Sequence, residues 1–130
     1  MVQKIASILI GLIALLHLYI AWFEMFAWTS RGPEVFTTFP ADMFEPAAAL
    51  AANQGLYNGF LAAGLIWSLL IKDAVWSKKV AICFLLFVAI AGVFGALTVS
   101  PSIALVQTLP AVIALGFTAL SARNAEPTQP

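Results

Sequence analysis

The chain reads as an all-α integral membrane protein, an up-and-down bundle of four transmembrane helices with both ends in the cytoplasm. Three observations carry this. Of the 130 residues, 62% are hydrophobic and only 9% charged. A soluble domain is about 45–50% apolar and about 25% charged, so this chain, with mean hydropathy +0.99, lacks the polar surface that water requires. The apolar residues fall into four runs, each near the ~20 residues that cross a bilayer as a helix. The runs lack the alternation of barrel strands, and a helix satisfies its backbone polar groups internally, as lipid demands.

The helices are expected over about 5–28, 47–71, 80–99 and 103–122, in a single membrane domain spanning 1–130. The first run extends to Trp28, too far for the apolar core of a signal peptide, and ends in Glu24, Phe26 and Trp28 rather than in small residues. It reads as a retained helix. Residues 29–46 form the one long loop, where Pro33, Pro40 and Pro46 are expected to stop the helix. Phe36, Phe39 and Phe44 in that loop suit the membrane surface or the helix ends. Lys72 to Lys79 reads as a short charged turn, and Ser100 to Ser102, around Pro101, as a tighter one. The tail from Arg123 to Pro130 is polar and expected to fray.

Lys4, Lys72, Lys78, Lys79 and Arg123 fall on one side of these helices and only Arg31 on the other. The positive-inside rule makes the first side cytoplasmic and turns the long loop outward. Trp22 and Trp28 then suit the outer interface, Trp67 and Trp76 the inner one. The lipid bilayer is the implied partner. Zero net charge leaves no basic face for nucleic acid, and Cys83, the single cysteine, excludes an intrachain disulfide and a cysteine zinc cluster.

Polar groups inside a membrane are costly and mark function or helix contacts. The first helix holds His17 and Glu24, seven residues apart and therefore on one face, with Glu24 about 10 Å closer to the outside. The second holds Asn53, Gln54, Tyr57 and Asn58, and the fourth Gln107. With the helices alternating in direction, these groups share the outer half and the midplane. The inner half, over 8–12, 65–70, 81–88 and 113–120, reads as apolar. A polar pocket open to the outer side follows. In it Glu24 and His17 are candidate acid–base residues, and Asn53, Gln54, Tyr57, Asn58 and Gln107 candidate ligand contacts. The same residues serve equally as hydrogen-bonded ties between helices. Pro110 removes the bond to the Val106 carbonyl and is expected to kink the fourth helix beside Gln107. Gly55/Gly59 and Ala91/Gly95 are small-xxx-small pairs that permit close helix approach, within a protomer or in a homo-oligomer.

One His, one Glu and several amides make a poor zinc or copper site. Haem needs a single axial His, and His17 is the only candidate. The pocket suits a lipophilic small molecule, bound or isomerised by proton transfer. Proton-linked transport and a purely structural role are the rival readings.

His17-Leu18-Tyr19, Glu24-Met25-Phe26-Ala27-Trp28 and the stretch from Ala51 to Gly59 (Ala-Ala-Asn-Gln-Gly-Leu-Tyr-Asn-Gly) resemble a family of small bacterial membrane proteins, domain of unknown function 1304. The resemblance covers nearly the whole chain. It implies four membrane helices and, with the charge pattern, a multi-pass protein of a bacterial inner membrane. Asn58-Gly59 is also faintly similar to the haem-containing styrene oxide isomerases. Those carry an axial His shortly before their Asn-Gly, where this chain has Asn53 and Gln54.

Overall fold

The computed structural model describes residues 1–123, the side chains of Ala122 and Arg123 excepted. The expected fraying of the tail and the contacts of Arg123 lie outside the described residues. The rest is all-helical: α1 (Val2–Trp22), a π-helical turn (Phe23–Ala27), α2 (Trp28–Val35), a 3-10 turn (Ala41–Met43), α3 (Phe44–Leu70), α4 (Ala74–Thr98), a second π-helical turn (Ala104–Thr108) and α5 (Leu109–Arg123). These make four helical rods. Neighbours pack in the order α1, α3, α4, α5 and back to α1, closing a ring.

Three rods are long and apolar enough to cross a membrane: Val2–Val35, Ala74–Thr98 and Ala104–Ser121. By length and composition this is a membrane protein. The fourth rod, α3, matches the expected helix in place but not in hydropathy. At 27 residues it has the length, but Asn53, Gln54 and Asn58 dilute its apolar character.

The helix boundaries also shift. The first rod does not end at Trp28 but runs through Pro33 to Val35, so the long connection is 36–43 rather than 29–46. Proline at 33 forfeits only the bond to the exposed Thr29 carbonyl, one turn from the helix end where water can replace it. Pro46 is the third residue of α3, where a helical N–H has no partner to lose. The charged segment 72–79 is mostly helix. Asp73 accepts from the N–H groups of Val75 (3.0 Å) and Trp76 (2.8 Å), capping α4 and starting it at Ala74 instead of Val80.

The end of the bundle at the 36–43 connection is closed by aromatic side chains, as the phenylalanine-rich loop led one to expect. Trp28 stacks against Phe36, Phe39 and Phe44 at centroid distances of 5.6, 6.1 and 5.2 Å. Its indole Nε1 donates to the Phe44 carbonyl at 3.0 Å. Phe44 is buried over Gly32, where a Cβ would strike its ring. This hairpin of α2 onto the start of α3 fixes the axial register between the first two rods.

The apolar core is built from small and branched residues: Ile10, Ile13 and Ala14 of α1, Leu65 of α3, Leu85 and Val88 of α4, Ala111 and Ala114 of α5. Glycines bring the rods together. A Cβ on Gly55 would lie 3.0 Å from the Ala21 carbonyl oxygen and 3.1 Å from Glu24 Cβ, so α3 touches the backbone of the first rod there. The Phe84 ring occupies the space beside Gly64, and Ile103 lies against Gly95. Gly55 and Gly95 are thus points of close approach between rods of one protomer.

The half of the bundle away from that closure is less apolar than its sequence suggests. Ser68, Thr118 and Ser121 are buried there. Each hydroxyl donates to a carbonyl of its own helix, Ser68 to Leu65 (2.6 Å), Thr118 to Ala114 (2.8 Å) and Ser121 to Thr118 (2.8 Å). Ser77 donates to the Ser68 carbonyl at 2.8 Å, and Lys78 Nζ to that of Ser121 at 2.9 Å, tying three rods at this end. A cation at the C-terminal end of α5 also complements its dipole.

Because a Cβ at Gly55 would meet Met25 Cγ at 2.7 Å and the Ala21 backbone oxygen at 3.0 Å, Gly55→Ala is expected to cost about 1–3 kcal/mol, the range for overpacking, whereas Gly116→Ala, with no atom within 4 Å of its Cβ, should not destabilise. Thermal unfolding of the two variants in mild detergent checks this.

Candidate functional site

Two polar pairs join the first rod to its neighbours. Asn58 Nδ2 donates to Glu24 Oε2 at 2.9 Å and also to the Gln54 carbonyl, one turn back, at 3.2 Å. His17 Nδ1 lies 2.8 Å from the Ile13 carbonyl oxygen, and its Nε2 lies 3.2 Å from Gln107 Nε2. A carbonyl only accepts, so Nδ1 carries the ring proton. Nε2 is then the acceptor, and the Gln107 amide donates to it.

The π-helical turns bring these groups into place. Glu24 lies in the turn Phe23–Ala27 and Gln107 in the turn Ala104–Thr108. A π turn inserts one residue into the helical count and re-aims the side chains around it. In the second turn the Leu109 N–H bonds the Ala104 carbonyl, five residues back. Pro110 has no N–H for Val106, so the expected disturbance takes the form of this widened turn. Thr108 Oγ1 donates to the Ala89 carbonyl at 3.3 Å and holds the turn against α4 at Gly92.

Between α3, α4 and the second π turn lies a groove of about 370 Å³. Gln54, Asn58 and Gln107 supply its polar lining; Tyr57, Phe60, Phe84 and Phe87 supply aromatic walls. Tyr57 and Phe60 meet edge to face at 6.2 Å, as do Phe84 and Phe87 at 5.9 Å. A second groove, of about 380 Å³, runs between α1 and α3 past Ile8, Leu12 and Ile66 and is apolar throughout.

The structure brings together most residues singled out in the sequence, but not as one cluster. Gln54, Tyr57, Asn58 and Gln107 share the groove. Glu24 and His17 share a helix face yet take separate partners, and neither lines the groove; they reach it through Asn58 and Gln107. Asn53 is exposed and lies off the groove wall. The aromatic walls were not singled out in the sequence, although Phe84 and Phe87, three apart, mark one face of α4.

A haem on His17 does not fit this arrangement. The ring is fully buried and both nitrogens are engaged within the bundle. Among the described residues no group of three or more His, Cys, Asp or Glu side chains is placed to hold a metal ion.

The model of the family "Protein of unknown function (DUF1304)" matches residues 11–119. The chain belongs to the DUF1304 family. Its match covers both polar pairs and every residue named for the groove between α3 and α4. The uncharacterised protein YpaA of Lactococcus lactis is 30% identical over 106 residues, 80% of this chain and 87% of that one. No solved structure matches. The fainter likeness to styrene oxide isomerases gains no support from these comparisons.

Asn58→Leu leaves the half-buried Glu24 carboxyl without its donor and is expected to cost about 1–3 kcal/mol, whereas Glu24→Gln keeps an acceptor for Asn58 and should cost less than about 1 kcal/mol. Denaturant unfolding of both variants in detergent measures the difference.

Proposed function

We propose that this DUF1304 protein binds a lipophilic small molecule, within the membrane, in the groove between α3, α4 and the turn Ala104–Thr108. The observation that carries this reading is the combination of aromatic walls with amide groups from two rods. Ligand sites are typically apolar concavities with a few placed polar groups. Packing alone would not call for three amides on one groove in a chain with so few polar side chains. Glu24 and His17 act as positioning residues, each holding one amide. Their place behind the groove favours binding over proton transfer to the ligand.

In this reading α3 crosses the bilayer with the other three rods. Its support is the ring packing, which lays α3 along α1 and α4. Lys4, Lys72, Lys78 and Lys79 then stand at the cytoplasmic end and Arg31 at the outer end of a bacterial inner membrane. The groove lies in the outer half and midplane, reachable from lipid past the exposed Tyr57, Phe60 and Phe87.

A structural role is the second reading, favoured by one observation: both polar pairs bridge helices of the same protomer. Native mass spectrometry of the protein released from mild detergent separates the two. A retained small-molecule adduct, lost in a Phe87→Ala variant that keeps its unfolding temperature, is the expected result. Bare protein, or only bulk lipid that Phe87→Ala does not affect, would favour the structural role.

A further inference from the structure

The two amides held by Glu24 and His17 have little freedom left. Both hydrogen bonds of Asn58 leave from Nδ2. The side chain is 5% exposed, and Oδ1 has no partner among the described residues. No fully enclosed polar side-chain atom among those residues lacks a partner, so Oδ1 is not sealed off, and Asn58 lines the groove. Gln107 is constrained in the same sense: its NH2 group serves His17 Nε2, which turns the carbonyl Oε1 away from the imidazole. The carbonyl oxygens of Asn58 and Gln107 are therefore held as acceptors, beside the amide of the exposed Gln54 on the same groove. A ligand group that only accepts would leave Asn58 Oδ1 unsatisfied, at the usual cost of an unmade buried hydrogen bond.

From this we infer that the groove selects lipophilic molecules whose head group donates a hydrogen bond, an alcohol or phenol, through the fixed carbonyl oxygens of Asn58 and Gln107. The inference rests on the binding reading above and adds the chemical class. The aromatic side chains take the hydrocarbon body and the amide oxygens take the hydroxyl. Glu24 and His17 set the direction of recognition without touching the ligand, each engaging an amide NH2 group so that the carbonyl oxygen of that amide is turned the other way. Sites built around a hydrogen bond discriminate strongly against analogues that cannot make it.

The test uses 4-octylphenol, its methyl ether and 4-octylacetophenone, which share the hydrocarbon tail and ring. Each is titrated calorimetrically into the full chain in lipid nanodiscs, against empty nanodiscs. The phenol is expected to bind at least tenfold more tightly than the ether or the ketone. That preference should fall below about threefold in Asn58→Leu, with Gln107→Leu as the second variant should Asn58→Leu not fold. Equal binding of all three by the wild-type chain would overturn the donor assignment and leave the groove as a lipophilic site. Binding of none above the empty discs would overturn both that reading and this inference.

Discussion

The close approach of α3 to the first rod at Gly55 is the constraint on which the site depends. There the backbone of α3 meets the backbone and side-chain roots of the first rod, with Ala21, Glu24 and Met25 on the facing side. At that separation an Asn one turn further along α3 reaches a Glu carboxyl directly. A wider spacing would leave Glu24 to lipid or water and Asn58 free to turn. Helix association in lipid lacks the hydrophobic driving force available in water and relies on such close packing and on interhelical hydrogen bonds. Here the two operate at the same level of the bundle, and each reinforces the other.

From that contact the arrangement spreads outward. Asn58 is directed by Glu24, Gln107 by His17, and the widened turns at Phe23–Ala27 and Ala104–Thr108 set the registers that let both pairs form. The aromatic closure around Trp28 fixes one end of the first two rods. The hydroxyl and Lys78 contacts fix the other end of α3, α4 and α5. The groove between these fixed ends has rigid polar atoms, which is what discrimination among lipophilic molecules needs.

Much of this was legible in the sequence because lipid imposes simple rules. Apolar runs gave the rods, and alternation of direction placed Glu24, Asn58, His17 and Gln107 at matching depth. What was not legible depends on contacts between rods. Seven-residue spacing put His17 and Glu24 on one face, but that face looks toward two neighbours, so each found its own partner. The π turns answer to the register between helices, not to a local residue pattern, although Pro110 marked one of them. Pro33 misled about the first rod's end because a proline near an exposed terminus forfeits little. Ser68, Thr118 and Ser121 went unnoticed because a hydroxyl satisfied by its own helix leaves no trace in hydropathy. Asn53, four residues before Tyr57 on a helix rich in amides, is exposed and does not line the groove, a distinction that requires knowing where α4 sits.

The central claim is that the groove between α3 and α4, and not the apolar one between α1 and α3, is where a lipophilic molecule settles. Photolabelling in native-composition nanodiscs with a long-chain alkyl diazirine alcohol, followed by peptide mapping, tests it most directly. The account predicts saturable adducts on the segments containing Tyr57 and Phe60 and those containing Phe84 and Phe87, competed by unlabelled alcohol. Adducts concentrated on Ile8 to Leu15, or spread evenly over every lipid-facing segment without competition, would contradict it.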